Sequence, residues 1–162
     1  MEIVDAQTLN STDRQAFFMH YCGSDRMVVT SGDFKLSQLY GYAAQENGRI
    51  LGLITYEIYD DYLEIISLDC ATQNKGIGTA LVNGIVHSAK QLNKSEIKVI
   101  TTNDNINAVR FYQKRGFRFS KIIPNAVAQA RVLKPTIPEV AENGIPIMDE
   151  IVFSKSVTDT IS

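Results

Sequence analysis

The chain has 162 residues, 44% of them hydrophobic and 21% charged, with a formal net charge of −2. That length builds one well-buried core, and the chain reads as a single globular domain, 1–162. The near-even charge balance excludes a global field that gathers nucleic acid, and no apolar run approaches the ~18 residues of a membrane helix. Met1-Glu2-Ile3-Val4-Asp5 carries no basic, apolar leader, so a cytoplasmic location is expected, with neither nucleic acid nor membrane as partner. Cys22 and Cys70 do not make a disulfide framework, and His20 and His87 share no ligand spacing with them, so no metal site is expected.

Ser11 or Thr12 is placed to cap a first helix with residues 14–21 as its body, and Gly23-Ser24-Asp25 breaks it. Residues 27–30 read as a short extended segment. Residues 42–45 and 49–59 read as strands, joined by Glu46-Asn47-Gly48, where Asn-Gly suits a turn with positive φ. Asp60-Asp61 turns the chain again, into a third strand over Tyr62–Cys70. A long amphipathic helix follows over residues 76–92. Ile77, Ala80, Leu81, Gly84, Ile85, Ser88 and Leu92 share one side; Asn83, His87, Lys90 and Gln91 share the other. Glu96–Thr102, rich in Ile and Val, predicts a strand. The helix after it has Asp104 or Asn105 as N-cap and Gly116 just past its end. Residues 117–123 predict another strand. Residues 124–146 hold all four prolines, with Asn125 placed to cap a short helix over Ala126–Leu133. Residues 149–154 close the sheet, and the tail 158–162 is expected to fray.

The most informative stretch is Leu68-Asp69-Cys70-Ala71-Thr72-Gln73-Asn74-Lys75-Gly76-Ile77-Gly78-Thr79-Ala80-Leu81. It joins a strand to a helix start through two glycines, which let backbone N–H groups reach a bulky anion with no Cβ in the way. Unpaired N–H donors and the positive end of the helix dipole complete a phosphate cradle. The turn lacks the Gly-Lys-Ser/Thr of a P-loop, and the third small residue of a dinucleotide fingerprint is replaced by Leu81. The pattern Gln73-x-x-Gly76-x-Gly78 resembles the acyl-CoA signature of the GNAT acetyltransferases. A second signature lies in Asn103-Asp104-Asn105-Ile106-Asn107-Ala108-Val109-Arg110-Phe111-Tyr112-Gln113-Lys114-Arg115-Gly116-Phe117, similar to that family's Asn-x-x-Ala-x-x-Phe-Tyr-x-x-x-Gly-Phe. Ala108, Phe111, Tyr112 and Arg115 share one face of this helix. The resemblance is close over residues 42–119 and looser elsewhere.

It implies an α/β (α+β) GNAT fold: a mixed, mostly antiparallel central sheet flanked by helices. A strand pair, the one ending near Cys70 and the one over Glu96–Thr102, would splay to admit the pantetheine arm. It implies acetyl-CoA or CoA as cofactor and direct transfer of acetyl to a primary amine of a small molecule or peptide, by a monomer or homodimer. Backbone groups from Leu68 through Asp69 to Cys70 would hold the pantetheine, with the Leu68 N–H near the thioester oxygen. Gln73, Asn74, Lys75, Gly76, Ile77, Gly78, Thr79 and Ala80 would hold the pyrophosphate. Asn103, Asn107, Ala108, Phe111 and Tyr112 would line the cofactor, and the Tyr112 phenol would protonate the departing thiolate.

Several positions keep two readings. Lys75 also reads as a solvated loop lysine, Tyr112 as a packed aromatic, and Asn103 and Asp104 as capping residues. For the base, Glu64 lies four residues before Leu68, which by even spacing puts both on one face, with Asp69 on the other. Glu57, Asp149 and ordered water are alternatives. Cys70 reads as a core cysteine or an acyl-carrying nucleophile. A non-catalytic acyl-CoA-binding regulatory module is the alternative for the whole chain; a nucleotide-binding enzyme lacks its phosphate motifs. Residues 124–146 are expected to wall the acceptor pocket, with Gln129, Arg131 or Lys134 facing the acceptor or solvent. The end of the chain resembles a bacterial GNAT subgroup whose acceptor is unassigned.

Overall fold

A computed structural model describes residues 1–73 and 76–157. In chain order the elements are β1 (Glu2–Asp5), α1 (Ser11–Tyr21), β2 (Arg26–Val29), β3 (Gly32–Lys35), β4 (Tyr40–Glu46), β5 (Arg49–Ile58), β6 (Tyr62–Cys70), α2 (Ile77–Gln91), β7 (Glu96–Thr102), α3 (Ile106–Lys114), β8 (Arg118–Ile123), α4 (Ala126–Leu133) and β9 (Glu150–Ser156). The architecture is α/β, a mostly antiparallel sheet flanked by helices. Two compact units divide the chain: residues 1–27, 34–97 and 156 onward, and residues 28–33 with 98–155. The tail expected to fray lies outside the described residues.

In the first unit β1, β4, β5 and β6 run antiparallel in that spatial order. Asn47 and Gly48 both take positive φ, 52° and 76°, as the tight turn between β4 and β5 requires. β1 has too few residues for a periodic signal, yet the edge of β4 fixes it in register, Ile3 opposite Ala44 and Val4 opposite Ala43. β1 and β3 were not legible as strands for that reason.

β6 carries a bulge. Thr55 of β5 pairs with Ser67 and Tyr56 with Ile65, so Ile66 is an extra residue on β6. The two faces of the sheet follow from this register. One face lies under α1: Phe17, Phe18, Leu36, Leu39, Ala43, Leu53 and Ile66 form its core. The other lies under α2, where Ile77, Leu81, Val82, Ile85, Ser88 and Ala89 are buried. Leu92 is 44% exposed, against expectation. The helix ends before it, and Asn93 leaves in the left-handed region at φ 58°.

Gly52 seats α2 on the sheet. A Cβ there would come within 2.7 Å of Ile77 Cγ2 and 3.0 Å of Leu81 Cδ1. The helix therefore rests on bare backbone of β5, next to its own first turn. Further along, the Gly84 position would bring a Cβ to 3.3 Å from the Tyr42 ring. Tyr42 also shares a hydrogen bond with Ser88, and burial, then Tyr42, push the Tyr56 phenol up to about 12.

In the second unit β9 lies between β7 and β8 and pairs antiparallel with β8. Tyr112, Phe117 and Phe153 pack as rings, with centroids 5.3 Å apart for the first two and 6.0 Å for Tyr112 and Phe153. Gly116 ends α3 with φ 89°. The proline-bearing stretch after α4 is ordered by its own hydrogen bonds, Ala141 N–H to Ile145 O at 2.9 Å and Ile147 N–H to Glu139 O at 2.9 Å. Arg131 fastens it from within. Its Nε donates to Ile137 O (3.2 Å) and its Nη2 to Pro138 O (2.8 Å) and Ile147 O (2.6 Å). Arg131 was expected to face the acceptor or solvent; the structure spends its guanidinium on main-chain carbonyls instead.

Asn125 is likewise corrected as a cap. It sits at φ 56° with no side-chain hydrogen bond to α4, while its N–H donates to Asp149 Oδ1 at 2.8 Å. The tip of the β2–β3 hairpin is held by a carboxylate that is 1% exposed. Glu150 Oε1 accepts the Thr30 hydroxyl at 2.6 Å and the Thr30 N–H at 3.1 Å.

Candidate active site

The end of β6 delivers the chain to the start of α2 through the glycine turn. Gly76 is the N-cap, left-handed at φ 75° and ψ 3°, and no side chain caps the helix. The first intrahelical bond runs from Ala80 N–H to Gly76 O at 3.0 Å. The N–H groups of Ile77 and Gly78 precede it and point out of the helix start. A Cβ built on Gly76 meets nothing within 4 Å, so the turn is open at this glycine. An uncapped helix start with an open glycine approach fits a pyrophosphate-bearing cofactor. Asn74 and Lys75, assigned to the same cradle, lie outside the described residues. Gln73 is exposed beside the turn.

The bulge overturns the parity expected along β6. Glu57, Thr55 and Leu53 share one face of β5, and their partners are Glu64, Ser67 and Asp69. Glu64 thus shares a face with Asp69, not with Leu68, which pairs with Ile54 on the α2 side. Even spacing from Glu64 to Leu68 fails because Ile66 adds one residue to the count. Glu64 is only 3% exposed, and burial, then the Glu64 carboxylate, push the Tyr59 phenol up. On the same face the Thr55 and Ser67 hydroxyls bond each other at 2.6 Å.

Asp69 meets the C-terminal end of α1. The Cys22 thiol donates to Asp69 Oδ2 at 2.8 Å. Burial pushes the Asp69 carboxyl above its ordinary value, and the Cys22 hydrogen bond pulls it back in part. Cys70, on the α2 face opposite Gly52, has its thiol pushed up to about 11, by burial first and then by Asp69. A thiol so hard to ionise is a poor nucleophile, which favours the core reading of Cys70.

In the second unit, α3 begins at Asn105, whose side chain accepts the Ala108 N–H at 3.1 Å. Asn107 is exposed, Ala108 and Phe111 are half-buried, and Tyr112 is 5% exposed. The Arg115 guanidinium lies 4.2 Å over the Phe111 ring. Asn103 acts as a clamp. Its Nδ2 donates to Pro146 O at 2.9 Å, and its Oδ1 accepts the N–H groups of Met148 (2.9 Å) and Asp149 (3.0 Å). That side chain is occupied by main chain, and Asp149 by Asn125. Neither the Asn103 clamp nor the Arg131 staple has a sequence signal, since their partners lie in a loop without periodicity.

Among the described residues, no group of three His, Cys, Asp or Glu could hold a metal ion, and no helix is long and apolar enough to cross a membrane.

The model of the "Acetyltransferase (GNAT) family" matches residues 7–117. The uncharacterised Bacillus subtilis (strain 168) protein YdhI is 54% identical over 142 residues, 87% of this chain and 89% of that protein. A GNAT family acetyltransferase from Elizabethkingia anophelis, solved with acetyl-CoA bound, is 30% identical with a TM-score of 0.63, covering 75% of this chain and 78% of that one. An IAA acetyltransferase from Bacillus cereus ATCC 14579 is 25% identical with a TM-score of 0.72, covering 96% and 99%. The family match runs through the helix start after β6 and through α3 to Phe117. The chain belongs to the GNAT family: it is an acetyl-CoA-dependent acetyltransferase.

Proposed function

We propose that the chain, acting as one catalytic domain, N-acetylates a primary amine of a small molecule or peptide by direct transfer. The observation that carries this reading is the uncapped start of α2 with its open, left-handed Gly76. Bound acetyl-CoA supplies the acetyl group as a thioester. The N–H groups of Ile77 and Gly78 hold its pyrophosphate, with Gln73, Asn74, Lys75 and Thr79 alongside; the Ala80 N–H, expected in the same cradle, is taken by Gly76 O. The main chain of Leu68 and Cys70 holds the pantetheine, and the Leu68 N–H stabilises charge on the thioester oxygen. Asn107, Ala108 and Phe111 line the cofactor.

Tyr112 serves as the acid, giving its phenolic proton to the leaving thiolate. Its ring is fixed by Phe111, Phe117 and Phe153. Glu64 serves as the base, directly or through water. Cys70 keeps its proton and carries no acyl group, so no covalent intermediate is needed.

The test pairs binding with turnover. Calorimetry of acetyl-CoA is expected to show binding to the wild type and its loss in Gly76→Val, with the circular dichroism spectrum retained. A panel of amines screened for free-thiol release is expected to contain acceptors. Equal acetyl-CoA affinity in Gly76→Val removes the cradle from the assignment; a panel with no acceptor in any amine class removes the amine.

A further inference from the structure

We propose that the edge strand β8 docks an extended segment of a partner protein in which acidic and apolar residues alternate. Its carboxylates meet Arg118 and Lys121, and its apolar side chains meet Phe119 and Ile122. Such docking is separate from acetyl transfer and holds whatever the acceptor is.

The sheet of the second unit runs β7, β9, β8, which leaves β8 at its edge. Backbone groups on the outer side of β8 meet no further strand among the described residues. Every side chain from Arg118 to Ile122 is exposed. Phe119 is 59% exposed and Ile122 64%, and a bulge brings these two large apolar groups together. Phe119 pairs with Phe153 and Lys121 with Val152, so Ser120 is an extra residue on β8. Phe119 and Ile122 therefore stand opposite Phe153 and Ile151, on one face. The Phe119 ring lies 5.1 Å from that of Phe153. Arg118 and Lys121 stand opposite Ser154 and Val152, on the other face. Without the extra residue each pair would be split between the faces.

The cations have no partner. Among the described residues, no side-chain ion pair or hydrogen bond involves Arg118 or Lys121, nor Arg110 and Lys114 on the exposed side of α3. Between Asp104 and Glu139 the sequence contains no Asp or Glu, although the whole chain is net −2. A local positive field on an acidic protein attracts an anionic partner and repels a cationic one. A second copy is a poor occupant, since pairing β8 with itself lines up the cations of both strands on one face. Nucleic acid is a poor occupant as well. The apolar face of the strand offers one aromatic ring beside an aliphatic, not a row of rings for stacking bases. An extended segment sends alternate side chains to opposite faces. One that alternates Asp or Glu with Val, Ile or Leu meets cations on one face and apolar groups on the other, while its main chain pairs with the edge.

The test is fluorescence anisotropy of the full-length protein with a labelled peptide of alternating Glu and Val, six residues long like β8. Saturable binding is expected, weakening as salt rises. In Arg118→Glu/Lys121→Glu the affinity is expected to fall at least about tenfold, because reversal turns two attractions into repulsions. In Phe119→Ser/Ile122→Ser it is expected to fall about tenfold through lost apolar contact. All four side chains are exposed, so circular dichroism spectra and acetyl-CoA affinity are expected to match the wild type. A variant-free arm uses the peptide of alternating Lys and Val, which is expected not to bind. The inference is overturned by absence of saturable Glu–Val binding, by equal binding of the Lys–Val peptide, or by unchanged affinity in the charge-reversed protein. Tighter binding of a thymidine oligonucleotide or of phosphatidylglycerol vesicles, lost in the same charge-reversed protein, overturns it in favour of those partners. A wild-type dimer in sedimentation that charge reversal dissolves overturns it in favour of a second copy.

Discussion

Replacing Arg131 by Met removes a guanidinium and keeps most of its apolar stem. Three main-chain carbonyls lose their donor: Ile137 O, Pro138 O and Ile147 O, at 3.2, 2.8 and 2.6 Å. A hydrogen bond from a charged donor contributes about 1.5–3 kcal/mol. The three share one side chain and are not additive, and the carbonyl of exposed Pro138 regains water. Ile147 is 8% exposed, so its carbonyl bears most of the loss. We expect a destabilisation of about 3–5 kcal/mol, a large part of the 5–15 kcal/mol typical of a folded domain. The ion pair with Glu139, at 3.6 Å and with that partner 83% exposed, adds little. Urea unfolding followed by circular dichroism measures the loss, and Glu139→Gln serves as the control, expected within about 0.5 kcal/mol of wild type. A loss below about 1 kcal/mol in Arg131→Met would refute the staple and return Arg131 to a solvent-facing role.

Two further outcomes are expected. Tyr112→Phe removes one hydroxyl from a packed ring set; turnover should drop about 100-fold while acetyl-CoA affinity holds, and wild-type turnover would leave Tyr112 as packing alone. Burial raises the Asp69 carboxyl above its ordinary 3.8, so the folded state holds that proton more firmly than the unfolded chain. Stability is then lost as pH rises from 3.8 toward the raised value. Asp69→Asn should therefore melt higher than wild type at pH 7, with the difference closing below pH 3.8; a lower melting point at pH 7 contradicts this.

The sequence carried the elements that repeat or are punctuated. Tyr62–Cys70, Glu96–Thr102 and Ala126–Leu133 are observed at the expected bounds, because alternating apolar residues or flanking turn residues mark each. The glycine turn before α2 was legible for the same reason, since glycine at positive φ has few substitutes. What was not legible depends on partners far along the chain. β1 exists because β4 offers an edge. Asn10, not Ser11 or Thr12, caps α1, accepting the N–H groups of Thr12 and Asp13, a choice among adjacent capping residues that only geometry makes. The roles of Arg131, Asn103 and Glu150 depend on loop carbonyls, N–H groups and a hairpin tip that sequence alone does not bring near.

The extra residue at Ile66 divides β6 into two stretches that count from different origins. Upstream, odd and even positions carry one meaning; downstream, the other. A protein of this lineage lacking that insertion would turn one stretch over, sending a carboxylate aligned with Glu64 or Asp69 to the side where α2 packs. Column-by-column comparison of acidic residues along this strand is therefore unsafe unless the insertion is located first. Deleting Ile66 is in effect a half-turn of part of the strand, with hydrophobic and ionisable residues trading sides together.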